Sequence, residues 1–231
     1  MKKHETLGNL IGIPVTILWP FALLMVTIRL LITPLFAQVA YRLPGFPQDP
    51  FGFSQSDRLK WSEPTIQYLV NNQDISALED LNFENGNPLY NARELSHMMD
   101  VKELVFGTRV ALAIIMILIA GLSFIAVSNG WERQLVRAFN QGGWGLIGLI
   151  VSILFLVALS FSQLFTWFHQ IFFESGTWQF YTSDTLIRLF PMRFWRDAFI
   201  FVGVMALFLG VLTIVVSKKR LERLSENHNK D

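Results

Sequence analysis

At 231 residues the chain has room for one or two soluble domains. An apolar content of 52%, a charged content of 16% and a mean hydropathy of +0.40 leave more apolar surface than so small a soluble domain can bury, so composition points to a polytopic membrane protein. The absence of cysteine excludes disulfides, thiolate nucleophiles, iron–sulfur clusters and cysteine-ligated zinc, while the net charge of +1 is uninformative except in how it is distributed.

Lys2 and Lys3 lead into an apolar run over residues 10–36, interrupted by Pro14, Pro20 and Arg29. A cleavable leader has an apolar core of only about 7–15 residues and ends at a small-residue site, so the run reads as a retained first span behind a short N-terminus, residues 1–9. Prolines are tolerated in a span when neighbours or water take up the freed carbonyls.

Residues 41–104 are the long polar stretch, opening with the turn-rich RLPGFPQDPFGFSQSDRL. Asp57 is the expected helix start, with Leu59, Trp61, Ile66, Leu69 and Val70 forming the apolar face of a helix over 58–70; a second short helix is expected over 75–81. Asn85-Gly86-Asn87-Pro88 is a strong turn. The whole stretch is expected to form a small domain resting on the bilayer. Its last part, Leu89 to Leu104 (LYNARELSHMMDVKEL), places Arg93, Glu94, His97, Asp100 and Lys102 at the mouth of the next span. Spans are ordinarily led in by a few aromatic or basic anchors, so a histidine between two acids and two bases suggests chemistry at the bilayer surface; the plainer alternative is that these charges satisfy one another at a helix start.

The second span is expected over 105–127, about 34 Å long and carrying one charge, Arg109. A polar loop over 128–143, a third span over 144–167, a second large loop over 168–197 and a fourth span over 198–216 follow, and the basic tail, 217–231, is expected to be disordered. The GGWGLIG start of the third span reads as close helix packing. The terminal and central segments (1–10, 128–143 and 217–231) hold nine basic and five acidic residues, against eight basic and thirteen acidic in the two large loops. The basic excess places both termini in the cytoplasm and the large loops outside.

His97 and His169 both fall in the outward loops, so antiparallel spans would bring both imidazoles to one surface at similar depth. For a lone histidine, anchoring in the headgroup layer would be the better reading; two at one level are more telling. Arg29 and Arg109 lie toward the outer leaflet and, with Arg188 and Arg193, would form an outer site for an anionic headgroup or an oxyanion, snorkelling being the alternative. H-E-x-x-H is absent, G-x-S-x-G is absent, and no phosphate-cradling glycine loop occurs, so a reaction without metal, cofactor or ATP at the outer leaflet is what remains.

The strings YRLPGFPQDPFGFSQSDRL, LYNARELSHMMDVK and FHQIFFESGTWQFYTSDTLIRLFP, with H-M-x-D-V-K followed downstream by F-H-x-x-F-F, resemble the lipoprotein intramolecular transacylase family of bacterial membrane proteins. The resemblance implies an all-α protein of four transmembrane helices with a small extracytoplasmic domain between the first two, in the bacterial plasma membrane. It also implies transfer of the sn-2 acyl chain of a diacylglyceryl lipoprotein to the α-amine of its own N-terminal cysteine, giving the lyso form. The family's two essential histidines fall on His97 and His169, and Glu94, Asp100, Lys102 and Asp184 sit in matching positions. No cofactor, metal, nucleic acid or obligate protein partner is implied; the substrate lipoprotein and membrane lipid are the partners.

That reaction suits the residues. An ester becomes an amide, which is downhill, and an α-amine with a pKa of about 7.7–8.0 must lose a proton before it attacks. One histidine serves as general base, and the other, as imidazolium or with Arg109 or Arg188, stabilises the oxyanion. His97 is the favoured base because Glu94 or Asp100, three residues to either side, could orient it, although the assignment stays open. Arg93 completes the supporting set. Three rivals differ in what they predict. An accessory scaffold of the cell envelope would tolerate loss of both histidines. A transporter calls for polar groups at mid-bilayer and internal repeats. An acyltransferase using free phospholipid would keep the histidines but need a second substrate.

Overall fold

The computed structural model describes residues 2–228, with side chains from Glu5 to Glu226. Met1 and residues 229–231, the end of the expected tail, lie outside the described residues, as do the side chains of His4 and His228. Among the described residues eight helices follow in order: α1 Lys2–Leu31, α2 Pro34–Ala40, α3 Gln55–Val70, α4 Ser76–Glu79, α5 Ala92–Ser128, α6 Glu132–Phe172, α7 Thr185–Leu189 and α8 Met192–His228. The β-structure among the described residues is one isolated bridge, Asn82 to Pro88. Four helices (α1, α5, α6, α8) are long and apolar enough to cross a membrane. They expose large apolar side chains such as Ile117 (71%), Phe124 (74%) and Leu159 (65%), which water would penalise and lipid accepts. The chain is an all-α, multi-pass membrane protein.

Several boundaries differ from the expected ones. Residues 10–36 do not form one helix: α1 ends at Leu31, Thr33 is extended (φ −141°, ψ 148°), and Pro34 opens α2. A proline disfavours helical backbone in the residue before it yet suits a first helical position, so one residue both stops one helix and starts the next. α3 begins at Gln55, two residues before Asp57, because Ser54 is its cap. The Ser54 hydroxyl accepts the Asp57 amide while the Asp57 carboxylate takes the Ser54 amide, a reciprocal capping box. Hydrogen bonding of Asp57 to Ser54 also holds its carboxyl below the ordinary range.

The expected 128–143 loop is mostly helix. Gly130 turns the chain at φ +73°, α6 starts at Glu132, and Trp131, Leu135 and Ala138, at helical spacing, bury against Val15 and Ala126. The tail is helical too, as α8 runs on through residues 217–228. Lys, Arg, Leu and Glu favour helix there, and Arg220 pairs with Glu132 at 2.5 Å.

Two compact units share the four long helices. Unit one comprises residues 1–28, 109–155 and 202–231. Leu23, Leu146, Ile150 and Ala206 form its core, and the glycines of GGWGLIG set its helix spacing. A Cβ on Gly142 would lie 3.1 Å from the Thr16 carbonyl, and one on Gly143 would lie 3.1 Å from the Gly210 carbonyl, so α6 approaches α1 and α8 backbone to backbone.

Unit two comprises residues 29–108 and 156–201. Its core gathers Ala37, Tyr41, Ile66, Leu89, Leu189 and Phe194 from four helices and two connections. Buried hydroxyls splice distant segments together: Tyr41 Oη donates to the Leu189 carbonyl (3.0 Å), Thr185 Oγ1 to that of Leu89 (2.6 Å), and Thr65 pairs with Tyr90. Burial holds the Tyr41 and Tyr90 phenols above their ordinary value. Within this unit α6 is interrupted at Ser160, whose backbone is extended (φ −161°, ψ 92°). The helical segment beyond it carries Phe161, Phe165, Phe168 and His169. A cleft of ≈ 210 Å³ lined by Pro34, Gln38, Arg42, Leu59, Ser62 and Glu63 opens between α2 and α3 and shares none of these residues.

Candidate active site

The segment before α5 fixes how its first turns are held. Asn91 Oδ1 accepts the amides of Arg93 and Glu94, and Glu94 Oε2 takes the Asn91 amide (2.9 Å), so the orphan donors of the helix start are satisfied locally. Glu94 is 1% exposed, and its other oxygen accepts the Leu186 amide (2.7 Å) in the first turn of α7. Arg93 reaches Asp184 at 3.1 Å and stacks on Tyr181 (4.9 Å), while Asp184 also accepts from Asn91 Nδ2 and the Tyr181 amide. Arg93, Glu94 and Asp184 therefore tie the 173–191 connection to the start of α5.

His97, in the second turn of α5, and His169, in the last turn of α6, are both buried at 8% exposure. Their rings are stacked, with centroids 6.1 Å apart and 24° between planes. Around His169 stand Phe165 (4.1 Å), Trp178 (4.8 Å), Phe168 (5.4 Å) and Phe173 (5.5 Å); His97 meets Phe173 (4.9 Å) and Phe180 (5.3 Å). His169 Nδ1 lies 2.8 Å from the Phe165 carbonyl. A carbonyl only accepts, so Nδ1 carries the hydrogen and Nε2 of the neutral ring keeps its lone pair. His97 Nδ1 and Trp178 Nε1 are buried polar atoms without a hydrogen-bond partner among the described residues.

The remaining expected residues are used otherwise. Lys102 Nζ bonds the Gln73 carbonyl and sits over Tyr68 at 3.9 Å. Asp100 is partly exposed and makes no hydrogen bond or ion pair among the described residues, and Arg109 falls in unit one. Arg188, expected to meet an anionic group, is instead held by Asp49: Nε and one terminal nitrogen bond Oδ2 at 3.1 and 3.0 Å, and the guanidinium packs 3.5 Å from the Phe53 ring centroid. Asp197 holds Arg193 through one nitrogen, with Nε 2.7 and 2.9 Å from its two oxygens. A partner carboxylate was available for each cation, and a charge-assisted hydrogen bond to it occupies the guanidinium that an open site would have left free. Arg58 is buried as well, its Nε on the Arg188 carbonyl (3.0 Å); burial pulls it below its ordinary value and the Asp49 charge opposes that.

Sequence reasoning did not single out Asn91, Asp49 or the aromatic wall. Phe165 and Phe173 flank His169 at four residues to either side, one face of a helix, so helical spacing would have found them. Trp178 and Phe180 sit in an irregular connection and carry no such signal.

Fold and site together define an integral membrane protein whose long helices deliver two buried imidazoles into one aromatic enclosure. The sequence profile of the lipoprotein intramolecular transacylase Lit family matches residues 13–195, most of the chain, and the chain belongs to that family. An uncharacterised protein of Aquifex aeolicus (strain VF5) is 29% identical over 223 residues, 93% of this chain and 97% of its own. The crystallised lipoprotein intramolecular transacylase Lit of Bacillus cereus shares the fold with a TM-score of 0.81 at 15% identity, covering 96% of this chain and 99% of that one. Two structures of that protein with a histidine replaced by arginine or by alanine match with TM-scores of 0.75 at 14% identity, over 96% of this chain and 95% or 96% of theirs.

Proposed function

We propose that this protein moves the sn-2 acyl chain of a diacylglyceryl lipoprotein to the α-amine of the same molecule's N-terminal cysteine, leaving the lyso form, with His97 and His169 as its acid–base pair at the extracytoplasmic face of the membrane. The observation that carries this reading is the stacked imidazole pair, delivered from two helices into a wall of aromatic rings. Family membership supports the reaction class, and the distribution of basic residues supports the outward placement.

The base is His169. Its ring is fixed by the Phe165 carbonyl with Nε2 left as acceptor, whereas the acids that favoured His97 do not orient it: both Glu94 oxygens are engaged by Asn91 and Leu186, and Asp100 makes no hydrogen bond. His169 takes the proton of the α-amine as the C–N bond forms, and the carbonyl electron pair moves onto oxygen. Collapse breaks the ester C–O bond, His97 as the imidazolium delivers a proton to the departing glycerol oxygen, and the proton held by His169 passes to His97 before the next turnover, restoring both rings. One ester bond is lost, one amide bond is gained, and the amine's proton ends on a hydroxyl. Nucleophile and ester sit on one molecule, so no acyl-enzyme is needed and the protein's work is orientation. The aromatic wall keeps water, the competing nucleophile, from the ester.

The test is His97→Ala and His169→Ala, each purified protein incubated in detergent with a diacylated lipopeptide, with and without isotopically labelled phospholipid, and the lipopeptide N-terminus read by mass spectrometry. Each variant is expected to lose about 10²-fold or more in rate. Undiminished product from either removes that histidine from the mechanism, and labelled acyl chains on the product reassign the donor to free phospholipid.

A further inference from the structure

We infer that the indole Nε1–H of Trp178 is the donor that receives the ester carbonyl oxygen and stabilises the oxyanion formed on it. This rests on the transacylase reading above. Trp178 lies against His169, ring centroids 4.8 Å apart and planes 37° apart, and its Nε1 is shut off from solvent with no acceptor. An indole nitrogen can only donate, and buried tryptophan N–H groups ordinarily find a partner because an unmade hydrogen bond is costly. Most of the surrounding side chains are phenyl rings, His169 Nδ1 is itself a donor to Phe165, and among the described residues the indole makes no hydrogen bond to the remaining ring nitrogens of His97 and His169. An acceptor brought by a ligand can fill that place.

Among the reacting groups of a diacylglyceryl lipopeptide, the attacking amine gives up a proton and the thioether sulfur is a weak acceptor. The ester carbonyl oxygen is the acceptor whose charge grows during the reaction. A rigid donor in a dry site is most effective on such a charge, because it needs no reorganisation as the charge appears. Of the cations that sequence alone offered for this task in unit two, Arg188 and Arg193 are bound to Asp49 and Asp197. No bond of the indole changes: Nε1 keeps its hydrogen, the hydrogen bond tightens as the carbonyl oxygen takes the electron pair, and it relaxes when the C–O bond to glycerol breaks.

The experiment replaces Trp178 by phenylalanine and, through site-specific incorporation, by benzothienylalanine, which keeps the ring outline and puts sulfur where the N–H was. The full chain in detergent is assayed with a diacylated lipopeptide. We expect kcat to fall about 10²-fold in both variants with KM within about threefold of the native value and an unchanged pH profile. A kcat within about threefold of native for the benzothienyl protein, or a higher KM at native kcat, overturns the assignment. Packing is preserved in that isostere, so it decides the matter even where the phenylalanine variant folds poorly. His97→Ala and His169→Ala run alongside: activity retained in either undoes the mechanism itself, whereas their inactivity beside an active benzothienyl protein removes only Trp178.

Discussion

Asp49 lies almost wholly out of solvent, 1% exposed at its side chain, and its Oδ2 takes two nitrogens of Arg188 as well as the Phe53 amide. Such a pair is poor evidence of net stabilisation, but breaking it leaves a buried charge without a partner, at a cost of about 3–5 kcal/mol. Arg188→Ala is therefore expected to lower the detergent unfolding temperature markedly, and Arg188→Lys to recover only part, since an ammonium has no planar fork to match the carboxylate. Equal unfolding temperatures for Arg188→Ala and the native protein would show that Asp49 is not buried as an ion. The same scale separates what was legible at the site. The two histidines could be picked out because few residues titrate near neutrality and both fell in the outward loops. The duties of Glu94 and Arg188 could not, because the partner that consumes each lies 92 or 139 residues away in the chain.

Among the elements, α5 and α7 depend on one another through Glu94, which caps the first and receives the Leu186 amide of the second. Glu94→Ala removes the acceptor of the Asn91 amide, about 1 kcal/mol, and strands the buried Leu186 amide, about 1–3 kcal/mol more. Hydrogen exchange over residues 185–189 is expected to accelerate, and native protection there would show that α7 is anchored without it. Helix spacing in unit one gives a second test. A valine at Gly143 would press on the Gly210 carbonyl and on Ile214 Cγ1 (3.0 Å), at about 1–3 kcal/mol, whereas nothing lies within 4 Å of a Cβ at Gly107. Gly143→Val should thus unfold at a clearly lower temperature and Gly107→Ala near the native one. The break of α6 at Ser160 carries no proline or glycine at that position and was not foreseen; serine competes for backbone hydrogen bonds, but that tendency alone does not select one serine among several.

For the whole molecule, the arrangement in the membrane rests on basic residues abutting the spans. The chain has no cysteine, so single substitutions report sidedness directly. Asn85→Cys and Ser175→Cys, both at exposed positions, are expected to react with a membrane-impermeant maleimide on intact cells. Asn129→Cys and Lys219→Cys are expected to react only after permeabilisation. The opposite pattern would put the histidine pair in the cytoplasm and end the proposed reaction.

Composition and hydropathy were enough to determine a four-span helical membrane protein, because lipid demands long apolar helices and leaves that demand written in consecutive residues. Where those helices stop was partly written as well, in Thr33-Pro34 and Asn129-Gly130. The tertiary structure alone decided which charges are bound to carboxylates, which stay at the surface, and that two imidazoles and an unpartnered indole share one aromatic enclosure. Those outcomes depend on which side chains from distant segments meet first and best, and the energies of such meetings are not local to any stretch of the chain.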